Sequence, residues 1–299
     1  MSSDWATCEH ERIQNVNLNN TGQALQPSAF QGYGIRLLSG LIEGSTKLST
    51  TLVDELSGHI TESGQSPKDL WHDFLLLLFS AAMSTPDEDS QKRLVDLVFA
   101  LAHYHRQPTT AVQDATNAAA ESASLFSNLT GFGWIARDYW NGPKTFIHTY
   151  GSLDAAQRAW VNLNQFMAHL SCQQRKTPVD PLNEWVEDFG LWTITDGLES
   201  PTGIKEHAEA ATAWLIVAGA DIHTDPAWGR RDGNKRPGVP LRTGPLWTKR
   251  LADGDTQEMR WGFWKGRLHE LANDETLDRT IRDSSRKAEQ AMNEVELSA

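Results

Sequence analysis

The chain has 299 residues, 39% apolar and 22% charged, enough for one large or two modest globular domains with a sizeable core. With 39 acids against 27 bases its formal charge is −12, which excludes general attraction to nucleic acid or an anionic membrane and confines any anion site to a local patch. Two cysteines, Cys8 and Cys172, are too few for a disulfide framework or a cysteine-rich zinc site; no apolar leader opens the chain and Phe74 to Phe79 is far short of a membrane span, so the expectation is a cytoplasmic protein.

Strand-like alternation is missing, and helical periodicity runs from about Thr46 to the end, so the predicted class is all-α: antiparallel helices around one leucine-rich central helix. Residues 1–45 read as an N-terminal extension and 46–299 as one helical domain. Leu70, Trp71 and Phe74 to Phe79 cover almost a whole helix circumference, with Asp73 and Ser80 as the polar strip, which makes this the central helix. Pro86 and Asp87 open the next helix, with an apolar face of Leu94, Leu97, Val98 and Leu101, ending before Pro108. A weakly patterned stretch from Thr109 to Asn128 precedes an aromatic segment, Gly131 to Trp140, that Asn141-Gly142-Pro143 stops.

Ser152 caps a helix to Leu170 with Trp160, Leu163 and Met167 on one face. Leu182 to Leu198 groups Trp185, Phe189 and Trp192, and Ile204 to Ala218 is an alanine-rich helix with Trp214 inward. Between Trp228 and Trp247 the sequence turns rich in glycine, proline and arginine, predicting an irregular basic loop over 229–245. Two more helices follow, one on Trp264, Leu268 and Leu271, the last on Ile281, Ala288 and Met292.

The segments Asp69-Leu70-Trp71 through Ala82 and Arg93-Leu94-Val95 through Leu101, together with Gly133-Trp134, Arg137-Asp138 and Trp160-Val161-Asn162-Leu163-Asn164, resemble a large ascomycete family of helical proteins of unknown function. The resemblance runs from about Leu70 to Met292, departs from the family pattern between Arg106 and Ser124, and implies a fungal, all-helical protein. It brings no activity and no catalytic residues.

Known chemical signatures fail individually. Gly32-Tyr33-Gly34 lacks the third glycine of a nucleotide cradle, and His269-Glu270 lacks the second histidine of a helical zinc site, so neither cofactor nor metal is expected. Asp87-Glu88-Asp89 and Asp274-Glu275 with Asp278 are acidic enough for magnesium-diphosphate chemistry, yet carboxylates at helix starts also complement the dipole. Cys172 stands near Arg175 and Lys176, which lower a thiol's pKa. Among the histidines, His103 and His169 fall on polar faces, whereas His105 and His207 border apolar ones.

Twelve tryptophans imply an aromatic core or an aromatic-walled cavity. Asn164 and Asp196 fall on apolar faces and need partners, either a structural network through tryptophan N–H groups, Arg137 or Asp138, or a ligand. The functional expectation is a cytosolic protein that binds an apolar or aromatic small molecule, with scope for cofactor-independent isomerisation, cyclisation or elimination. Asp138 and Asp196 are the candidate proton carriers; Trp134, Arg137, Trp140, Asn164, Trp192 and Trp214 are the candidate ligand-binding residues. A non-catalytic helical interaction protein and, more distantly, a magnesium-dependent terpenoid cyclase are the alternatives.

Overall fold

The computed structural model describes residues 2–21, 26–104, 123–182, 185–224, 242–256 and 259–298. Among them every regular element is a helix and no strand occurs, so the expected all-α class holds. The chain divides into two compact units, Met1–Asn141 with Val179–Leu182, and Gly142–Pro178 with Asn183–Ala299.

The first unit contains α1 (Ser2–Thr21), α2 (Ala29–Glu43), α3 (Thr50–Glu62), α4 (Pro67–Ser84), α5 (Glu88–Ala102) and α6 (Phe132–Tyr139). Pro67 starts α4, as its fixed φ and missing N–H suit a first helical position. Leu70, Trp71, Phe74, Leu75, Leu77, Leu78 and Phe79 are all buried, and α4 packs on α1, α2, α3, α5 and α6, so the leucine-rich helix is the centre of this unit. Trp71 secures α4 to the chain before α6 by donating to the Thr130 carbonyl at 2.7 Å.

Helical structure begins well before Thr46. A capping box between Ser28 and Gln31 starts α2, Gly44 closes it in the left-handed region, and Phe30, Ile35, Leu37, Leu38 and Leu41 are buried. The thin stripe of α1, Trp5, Glu9 and Ile13, docks at the polar strip of α4: Ser80 donates to Glu9 at 2.7 Å, Trp5 donates to Ser80 at 3.4 Å, and Arg12 places two N–H groups on the same carboxylate.

In the second unit, a 3₁₀ turn (Pro143–Phe146) and the single turn α7 (Ile147–Tyr150) lead to α8 (Leu153–Lys176), followed by α9 (Val186–Leu198), α10 (Ile204–Thr224), α11 (Pro245–Ala252), α12 (Arg260–Asn273) and α13 (Arg279–Ser298). The Ser152 hydroxyl accepts from the Ala155 N–H and caps α8 as expected. Ala208, Ala210, Ala211, Ala213 and Ala218 keep α10 slim, and α8, α9 and α13 all pack on it. At Gly197 of α9 an added Cβ would lie 2.8 Å from the His207 carbonyl oxygen, so glycine is what lets α9 and α10 approach this closely.

Most of the basic loop, residues 229–241, and His105 lie outside the described residues. Its described end, residues 242–244, is irregular as expected, and helix resumes at Pro245, which opens α11; beyond the loop Trp247, tilted against Phe263 at 5.1 Å, is fully buried. His169, expected on a solvated face, is buried, because α8 is covered on most of its circumference and not along one stripe.

Replacing Glu9 with Ala should leave Arg12 and Ser80 without their shared acceptor and lower the urea-unfolding free energy by about 1–3 kcal/mol. Amide exchange should quicken first in α1; unchanged exchange there would show that α1 does not depend on this bond.

Candidate functional site

The polar groups of the second unit concentrate where α9 ends. Glu199 follows the last turn of α9, where a carboxylate meets the negative end of the helix dipole and is disfavoured unless compensated. It is nevertheless 0% exposed. Arg260, at the start of α12 and 4% exposed, donates Nε to Glu199 Oε1 at 2.6 Å, and the Trp264 indole donates to the same oxygen at 2.7 Å. The Gly244 N–H reaches Oε2 at 2.7 Å. Three charge-assisted bonds thus replace the lost hydration.

This cluster also anchors the chain that enters α11. Arg260 Nη2 donates to the Arg242 carbonyl at 2.7 Å and to Thr195 Oγ1 at 3.3 Å, and the Leu246 N–H donates to the Glu199 carbonyl at 3.0 Å. An added Cβ on Gly244 would fall 2.5 Å from Glu199 Cβ, so the close approach requires glycine. The Arg260 guanidinium also lies 5.1 Å from the Trp264 ring centroid, a cation–π contact.

Above the clamp lies a more exposed layer. Arg242 Nη2 donates to both Asp196 oxygens, at 2.7 and 2.9 Å, and its guanidinium carbon stands 5.7 Å from the Trp192 ring centroid. Phe189 meets Trp192 edge-on at 5.3 Å, bracing the indole. His207, on the α10 turn that packs against Gly197, meets the Trp160 ring edge-on at 5.8 Å, and its buried Nδ1 has no hydrogen-bond partner. Burial holds the imidazole below its ordinary value of 6.5; Asp196 and Glu206 oppose that shift, while Arg242 and Lys144 reinforce it. Lys144 is itself paired with Glu206 at 2.5 Å.

The sequence-derived candidates fall into separate places. Trp134, Arg137, Asp138 and Trp140 belong to the first unit, on or just after α6; Trp134 is 77% exposed, and Arg137 and Asp138 are exposed too. Asn164, Trp192, Asp196 and Trp214 belong to the second. Asn164, 0% exposed, accepts from Thr193 Oγ1 and the Trp214 indole, both at 2.8 Å, and donates to the Trp160 carbonyl at 2.9 Å. Its partners are therefore core groups of α8, α9 and α10, not Arg137 or Asp138. Asp196 is half exposed instead of buried, since it lies on the rim of the α9 stripe, and Arg242 is its partner. Sequence reasoning missed Glu199 and Arg260 altogether; the available signal was an acid placed against the dipole at a helix C-terminus.

The reactivity expectation for Cys172 changes. Burial, joined by Asp221, pushes the Cys172 thiol up to about 12 against the opposing Lys176 and Arg175, and Sγ lies 3.4 Å from the Val217 carbonyl, so this is an inert thiol. Asp87 caps α5 through the Ser90 N–H and hydroxyl, as its place at a helix start implied, whereas Asp274 ends α12, its N–H donating to the Leu271 carbonyl and its carboxylate accepting from the Thr276 N–H and hydroxyl. No group of three or more His, Cys, Asp or Glu among the described residues is arranged to hold a metal ion.

Fold and site together define an all-helical protein with a buried ionic clamp beneath a half-exposed Asp–Arg–Trp layer. The family described as Protein of unknown function (DUF3632) matches residues 76–268, and the chain belongs to it. No curated protein and no solved structure matches the chain.

Three outcomes follow for the cluster. Glu199→Ala, which strands a buried guanidinium, should cost about 3–5 kcal/mol in denaturant unfolding. Asn164→Ala, which leaves the Trp214 indole and Thr193 hydroxyl short of their shared acceptor, should cost about 1–3 kcal/mol. Because the folded state holds His207 below 6.5, the unfolded chain binds the extra proton between the two values, so His207's contribution to stability is complete above pH 6.5 and falls as the pH drops below it. Thermal melts of His207→Gln should accordingly lose part of the wild-type decline below pH 6.5; identical pH profiles would show that His207 is not the group responsible.

Proposed function

We propose that this protein binds a small molecule at the α9–α10 end of its second unit and works without a cofactor, in the cytosol, as an isomerase, cyclase or lyase of fungal metabolism. The observation that carries the proposal is His207: a half-buried imidazole, neutral near pH 7, whose Nδ1 is buried and unpartnered, leaving Nε2 as the nitrogen for a substrate, with the Asp196 carboxylate in its field. Such a group accepts a proton from a bound substrate and returns it, and the neighbouring carboxylate stabilises the imidazolium formed between the two steps. In this arrangement Trp192 supplies the aromatic surface, Asp196 orients the ligand, and His207 replaces Asp138 as the proton carrier. Asn164 and Trp214 hold the core that supports these groups.

Mass spectrometry of small molecules that copurify with the folded protein tests the proposal, with compounds related to any captured ligand then assayed as substrates. His207→Gln should retain the fold and lower turnover by about 10²–10⁴-fold, the usual contribution of a general acid–base. Turnover undiminished in that variant would remove His207 from the mechanism. A second reading, a non-catalytic interaction protein, draws on Trp134, whose exposed indole on α6 is a contact residue in search of a partner. Sedimentation that detects a complex in wild type and its loss in Trp134→Ser would favour that reading.

A further inference from the structure

Trp192 and Asp196 lie one turn apart on α9, so an indole and a carboxylate share one edge of the helix. Arg242 occupies both: its guanidinium stands 5.7 Å from the indole centroid, and Nη2 reaches the two carboxylate oxygens at 2.7 and 2.9 Å. An aromatic ring and a carboxylate acting on one charged group is the chemistry by which proteins recognise organic cations. We infer that Trp192 and Asp196 form a binding site for a small organic cation with a planar guanidinium or amidinium head, and that Arg242 is an internal occupant which this ligand displaces. The assignment rests on the placement of the ligand site at this end of α9, as proposed above.

Three features make the occupant exchangeable. Both partners are open to solvent, with 45% of the Arg242 side chain and 37% of the Asp196 side chain exposed, so the pair separates without opening the core. Both bonds run through Nη2, whereas a free guanidinium can set two nitrogens in parallel on the two oxygens. The Arg242 main chain is held separately, its carbonyl bonded to Arg260, so the side chain can swing away while the backbone stays clamped. Once Arg242 leaves, Asp196 keeps a negative charge beside the indole face. Lys144 is committed to Glu206, and His207 is neutral. The site therefore selects a cation.

Calorimetric titration of the 299-residue chain with phenylguanidinium, and with uncharged phenylurea as the control, tests the inference. In wild type the ligand competes with Arg242; in Arg242→Ala it does not. The variant should bind phenylguanidinium on the order of tenfold more tightly, and Asp196→Asn or Trp192→Leu in that background should abolish the gain. Should Arg242→Ala unfold, Asp196→Asn in the otherwise wild-type chain gives a second test, with an expected loss of about tenfold in affinity. Unchanged or weaker binding in Arg242→Ala overturns the inference; weaker binding there of an anion such as benzoate would make Arg242 a receptor, not an occupant. Phenylurea binding that depends on Trp192, with phenylguanidinium silent, overturns the cation assignment but leaves the proposed site standing. Silence of both probes at Trp192 counts against both.

Discussion

A carboxylate at the wrong end of a helix organises the second unit. Glu199 sits where the α9 dipole is negative, and burial removes the water that would otherwise solvate it. It is sustained because three donors from two distant segments converge on it: Arg260 and Trp264 from α12, and the Gly244 N–H ahead of α11. Removing any one leaves the others facing an incompletely satisfied charge, so the cluster acts as a unit. Two donors hold α12 and the third holds the entrance to α11, and together they set α9, α12 and that entrance against one another.

The clamp and the layer above it divide their labour. A buried ion pair is seldom a net source of stability, since desolvation cancels most of the attraction, but it is costly to break and specific in geometry. The exposed Asp196–Arg242 pair is worth about 0–1 kcal/mol and can be opened at little cost. The clamp therefore fixes the backbone at this end of α9, while the pair above it can exchange partners at little cost.

Much of this fold was legible in the sequence, for reasons that individual helices make plain. The helix α4 was readable because its apolar residues cover nearly the whole circumference, and α8 because a serine cap precedes a long periodic stripe. By contrast α1 was obscure: it buries Trp5, Glu9 and Ile13 at intervals of four, too thin a stripe to stand out, and its middle member is an acid. Asn164 was correctly phased inward, yet its partners on α9 and α10 are tertiary neighbours that periodicity along α8 cannot name. Asp196 marks the limit of phase arguments. It is four residues from Trp192, and both belong to the rim of the α9 stripe, where one angular position fits a buried residue and a half-exposed one alike.

The described tryptophans fall into buried, half-exposed and exposed positions. Trp71, Trp160, Trp214 and Trp247 are fully buried, and Trp71, Trp214 and Trp264 each give their N–H to an oxygen elsewhere in their own unit. An indole used this way is a packing element with a directional pin, since its area drives burial while its one donor selects a register. Trp192 differs: it is half exposed, braced by Phe189 at its edge and covered by a cation from a separate segment. The four buried indoles are fixed by packing on all sides, whereas Trp192 is held at its edge by Phe189 and met on its face by a charged group, so its surroundings are set by side chains at the surface of the unit and not by the core.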